Sequence, residues 1–111
     1  RANQYRSAIA SHLYRTIYFP YPQLLFSDEI INKYCHNNGV AQDYIDSFYF
    51  LNKATYSTYK AYFKVLNFKI QYEYFNKRKI DMEFYKRFED KLGLYPIFDL
   101  ELDFFNVLLE K

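Results

Sequence analysis

Apolar residues recur every fourth position at the start of the chain, at Tyr5, Ile9, Leu13 and Ile17. That spacing predicts one amphipathic helix over 3–18, which Pro20 and Pro22 end by removing backbone donors. Ser27 reads as the cap of a second helix over 27–38, with Asp28 and Glu29 in its first turn and Asn38-Gly39 as its stop. From Val40 to Leu92 there is no glycine or proline. Within that stretch Tyr59, Tyr62, Phe63, Leu66 and Ile70 share one arc of a helical wheel, while Lys60, Lys64, Asn67 and Gln71 lie on the neighbouring arc. The pattern predicts a long third helix over 41–75, with a break near 52–55 and a second break in the polar run 76–81. Asp81 caps a helix over 81–92, closed by Gly93, and Leu100, Phe104, Val107 and Leu108 give a last helix over 98–110. The expectation is an all-α fold, a single domain over 1–111. It is a small bundle of three main helices with additional C-terminal helices in 76–111. The first three helices are expected to pack along Ile9, Leu13, Ile31, Tyr34, Phe48, Tyr59, Phe63 and Leu66.

Composition adds one feature to this picture. The chain holds 14 tyrosines and 12 phenylalanines in 111 residues, more rings than so small an interior accommodates. Some are therefore expected at the surface, gathered into patches of the kind that meet partners.

Charge adds another. Residues 53–79 carry Lys53, Lys60, Lys64, Lys69, Lys77, Arg78 and Lys79 against Glu73 alone, whereas 80–111 is acidic on balance. A basic middle points to an acidic partner, protein or nucleic acid.

Enzyme chemistry finds no foothold in the pattern. His12 and His36 have no cysteine or carboxylate at metal-ligand spacing, so no metal site is expected. The single cysteine, Cys35, has no partner for an internal disulfide. Asp28-Glu29 and Glu89-Asp90 are explained by capping and solvation, and there is no glycine-rich phosphate loop. No apolar run reaches the length of a membrane span. A non-enzyme with no catalytic residue and no directly bound cofactor is expected.

At Leu13-Tyr14-Arg15, followed by the aromatic-proline turn of "YFPYP", the sequence resembles the LYR-motif family of small mitochondrial proteins. The resemblance covers about residues 5–70. It includes "INKYCHN" (Ile31 to Asn37), where Asn32 beside Lys33 replaces the family's second-helix arginine and Tyr34 its phenylalanine. Among family members the pattern is nearest to the accessory subunit of respiratory complex I. The resemblance implies a three-helix bundle on the matrix side of mitochondria, serving as an accessory or assembly subunit of a respiratory complex. It implies docking of an acyl carrier protein whose acyl-phosphopantetheine enters the bundle. The partner-binding residues would be Leu13, Tyr14, Arg15, Lys33, Tyr34, Lys60 and Lys64. Residues 55–93 also resemble the DNA-clamping core-binding domain of tyrosine recombinases, through a threonine-tyrosine helix start, a basic helix and "IDMEFYKRF". That alternative implies phosphate contacts from the same lysines. A third reading is an unassigned helical interaction domain.

Overall fold

The computed structural model describes residues 1–9, 17, 19–49 and 52–111, with the side chains of Phe48 and Tyr49 excepted. In chain order the elements are β1 (Ala2–Asn3), α1 (Pro22–Leu25), α2 (Asp28–Asn37), α3 (Gln42–Tyr49), α4 (Tyr56–Val65), β2 (Lys69–Lys77), α5 (Met82–Arg87), α6 (Glu89–Leu92), α7 (Ile97–Glu101) and β3 (Leu102–Glu110). The fold is mixed, with short helices around a three-stranded antiparallel sheet of order β1-β3-β2. The all-α bundle is therefore corrected.

Three predicted helices account for the correction. Where a helix over 3–18 was expected, residues 2–3 pair as β1 with Phe105 and Phe104, and residues 4–9 run through turns. The rest of that span, apart from Ile17, lies outside the described residues. The long helix over 41–75 is replaced by α3, α4 and β2. Its hidden break is Asn67, which takes left-handed backbone (φ 61) and turns the chain from helix into strand. Asparagine tolerates that region better than most residues, so no glycine marks the corner. After it, "KIQYEYFNK" is rich in rings and alternates Tyr72 and Tyr74 with Gln71, Glu73 and Phe75, a period of two that a wheel drawn at 3.6 obscures. The helix over 98–110 shrinks to α7, and "LDFFNVLLE" becomes β3.

Where caps were read from the sequence, at Ser27 and Asp81, the helices form: Ser27 accepts from the Ile30 amide and Asp81 from Glu83 and Phe84. Thr55, expected near a break, caps α4 by accepting from Thr58. Gly39 adopts φ 75 just past α2, a conformation in which a side chain would be strained. Gly93 follows α6 directly.

The core is divided into three clusters. Ile17, Ile31, Cys35 and Ile45 pack between α2 and α3. Tyr21, Leu25, Ile80, Leu92 and Leu100 join α1 to α6 and α7. Tyr56, Leu102 and Phe105 hold α4 on one face of the sheet, with Tyr59, Phe75, Phe98 and Val107 around them. Tyr56 is the hub of that cluster, its ring centroid 4.9 Å from Phe75 and 5.0 Å from Phe105, both edge-on. Of the residues expected to form a common core, Ile31 is buried, whereas Tyr34 and Leu66 are exposed. Ile9, Tyr59 and Phe63 are half-buried. Leu13 and the side chain of Phe48 lie outside the description.

Candidate partner-binding surface

Lys60 and Lys64 stand one turn apart on α4, as the helical wheel requires. With Phe63, Asn67, Phe68, Lys69 and Ile70 they line an open groove of about 430 Å³ between the end of α4 and the start of β2. The turn at Asn67 builds this groove. It folds Phe68 back beneath α4, where the Phe68 amide donates to the Phe63 carbonyl at 2.8 Å. Lys111 reaches the same place, its Nζ 5.8 Å from the centroid of the Phe68 ring. The floor is apolar and the rim is cationic.

Away from the rim, α4 exposes a second kind of surface. Tyr62 is 61% exposed, Val65 75% and Leu66 57%. They sit at i, i+3 and i+4 and form one stripe. The sequence pattern assigned Leu66 to the core and Tyr62 to the same apolar arc, but the sheet covers the Tyr56, Tyr59 side of the helix instead.

Electrostatics separates the cations from the carboxylates. Asp99 pairs with Arg6 at 2.7 Å and Asp103 with Arg78 at 3.3 Å. Glu101 accepts from the Ile80 amide, Glu73 from the Tyr56 hydroxyl and Glu110 from the Gln71 side chain. Five carboxylates, four of them in the acidic half, are thus engaged internally. Among the described residues, Lys53, Lys60, Lys64, Lys69, Lys77 and Lys79 form no ion pair with any of these carboxylates. Several lie over rings instead: Lys53 over Tyr5 at 5.1 Å, Lys60 over Tyr56 at 6.0 Å, Lys77 over Phe98 at 4.9 Å.

The remaining predicted site residues do not converge here. Lys33 and Tyr34 are exposed on α2. Tyr34 borders a different groove of about 520 Å³, with Ile17, Phe19, Phe26, Ile30 and Ile31. The two grooves share no lining residue, and α2 packs on α1 and α3. Leu13, Tyr14, Arg15 and His12 lie outside the described residues. Sequence reasoning did not single out Lys69, Phe68, Val65 or Lys111 as contact residues. For Lys69 the signal was present in the basic run. For Phe68 it depended on recognising the turn at Asn67.

Burial shifts four titratable groups. Burial raises the Cys35 thiol above its ordinary range, which keeps it protonated and unreactive. Tyr5, Tyr21 and Tyr56 are all raised, by burial first and by neighbouring negative charge after it. Among the described residues no three of His, Cys, Asp or Glu gather to hold a metal ion, and no helix is long and apolar enough to cross a membrane. No family model, no curated protein and no solved structure matches this chain.

Proposed function

We propose that the chain is a non-catalytic docking subunit whose α4 surface receives an acidic, amphipathic helix of a partner protein. One observation carries this reading: α4 exposes Lys60 and Lys64, which form no ion pair among the described residues, and on another side of the helix the stripe of Tyr62, Val65 and Leu66. The cations offer charge-assisted hydrogen bonds to carboxylates, and the stripe offers apolar area to other residues of the partner. The aliphatic residues favour a protein over a nucleic acid. A phosphate backbone gains from lysine but nothing from Val65 or Leu66.

An acyl carrier protein presents an acidic helix and is the partner implied by the resemblance at Leu13-Tyr14-Arg15. It is the first candidate to test. The three-helix bundle of that family does not support the choice, because residues 69–77 and 102–110 are strands. What supports it is the charge on α4. Service as an accessory subunit of a mitochondrial respiratory complex, complex I above others, belongs to the same proposal and depends on the same test.

The experiment is calorimetric titration with holo acyl carrier protein, beside a titration with duplex DNA. Binding that weakens with salt and is lost in the Lys60→Glu, Lys64→Glu double variant supports the reading. Binding to DNA alone, or binding to the carrier protein that ignores the double substitution, overturns it.

A further inference from the structure

Among the described residues, the sheet has an open edge. β2 pairs with β3 on one side, and no described strand lies on the other. In an antiparallel ladder alternate residues turn their N–H and C=O groups to opposite sides, so half of the groups in Lys69–Lys77 face away from β3. Among the described residues none of these outward groups has a backbone partner. Such an edge is a template for a further strand.

Its shape restricts where a strand would add. The register shifts between Ile70 and Tyr72 and again between Asn76 and Lys77, leaving Tyr72–Asn76 as the regular stretch. Tyr74 is its midpoint. Tyr72, 60% exposed, and Tyr74, 45% exposed, stand on the outer face of the sheet, opposite Leu108 and Asn106 of β3. The stretch holds one charge, Glu73, which points to the inner face and accepts from Tyr56.

We propose that this edge pairs antiparallel with the β2 edge of a second copy, about a two-fold axis at Tyr74, joining two three-stranded sheets into one. The self-complementarity of the stretch argues for a second copy. An axis at Tyr74 sets Tyr74 against its own copy, Tyr72 against Asn76 and Glu73 against Phe75, with no like charges opposed. An axis at Glu73 would oppose Glu73 to itself and Lys69 to Lys77. A strongly charged foreign strand finds no counter-charge in the neutral outer row of Tyr72, Tyr74 and Asn76. The contact is isologous and small, so the dimer is weak and concentration-dependent.

Sedimentation over a dilution series tests it. The wild-type mass rises with concentration from one chain, 13.7 kDa, toward twice that value. Tyr74→Lys and Tyr74→Glu each oppose like charges at the axis and hold the mass at one chain, with circular dichroism unchanged because the side chain is half-exposed. An equimolar mixture of the two restores the dimer as a one-to-one pair. A wild type that stays monomeric throughout overturns the proposal. So does a dimer that persists in Tyr74→Lys, or a mixture that remains monomeric. Hydrogen exchange on the wild type gives a check free of substitutions. The outward amides of Tyr72–Asn76 gain protection as concentration rises, and protection independent of concentration overturns the pairing.

Discussion

Tyr21 donates its hydroxyl to the carbonyl oxygen of Leu100 at 2.9 Å, a buried hydrogen bond between residues 79 positions apart. It fastens the corner before α1 to α7, inside the cluster that also holds Leu25, Ile80 and Leu92. Tyr21→Phe keeps the ring but removes the donor, leaving the Leu100 carbonyl unpaired away from water. The expected loss is about 1–3 kcal/mol, read as a lower denaturant midpoint at unchanged slope. An unchanged midpoint would contradict the assigned bond.

Alkali should unfold the protein through the same residue and one other. Burial, then the negative field of Asp103 and Glu101, pushes Tyr21 up from 10.0 to about 12. Burial, then the hydrogen bond to Glu73, does the same for Tyr56. Both groups hold their protons more tightly folded than unfolded, so their contribution to stability is complete below pH 10 and is lost as pH climbs toward 12. Unfolding free energy measured across that interval should fall. In the Tyr21→Phe, Tyr56→Phe double variant the fall should be shallower.

Ile31 and Leu66 separate folding from docking. Ile31→Ala opens a cavity in the cluster with Cys35 and Ile45 and should cost about 2–5 kcal/mol. Leu66→Ala removes an exposed side chain and should change stability by no more than about 0.5 kcal/mol. It should nevertheless weaken partner binding in the calorimetric titration. A large stability loss from Leu66→Ala would place that residue in the fold rather than on the docking surface.

The corner at Asn67 gives a backbone prediction. Asn67→Gly relaxes the left-handed conformation and should leave thermal stability unchanged or slightly raised. Asn67→Val forces a β-branched residue into that region and should cost about 1–2 kcal/mol. Equal melting temperatures for the two variants would rule out the helix-to-strand turn placed there.

Local signals in the chain were readable and distant ones were not. Ser27, Thr55 and Asp81 cap the helices they precede because a side-chain oxygen three residues or fewer from an orphan amide needs nothing else to act. β2 needs β3, and its partners Leu108, Asn106 and Phe105 lie about thirty residues further on, with nothing in Lys69–Lys77 to announce them. Without that pairing, the arc of Tyr59, Phe63 and Ile70 read as the face of one continuous helix. The docking surface was half legible for the same reason. Lys60 and Lys64 depend only on helix spacing within α4. The exposure of Tyr62 and Leu66 depends on which side of α4 the sheet covers.

β3 is the middle strand of the sheet although it comes last of the three in sequence. During synthesis on the ribosome, β2 leaves the exit tunnel with both of its edges bare and stays so until Leu102–Glu110 follow. β1 waits longest, since Ala2 and Asn3 must hold open their bonds for Phe105 and Phe104. The nascent chain therefore cannot assemble its sheet piece by piece. Its helices can form as they emerge, but the sheet closes in one late, long-range step. Until that step Phe75 lacks Leu102 and Phe105, which pack against it in the finished fold, and the growing polypeptide is then most open to aggregation.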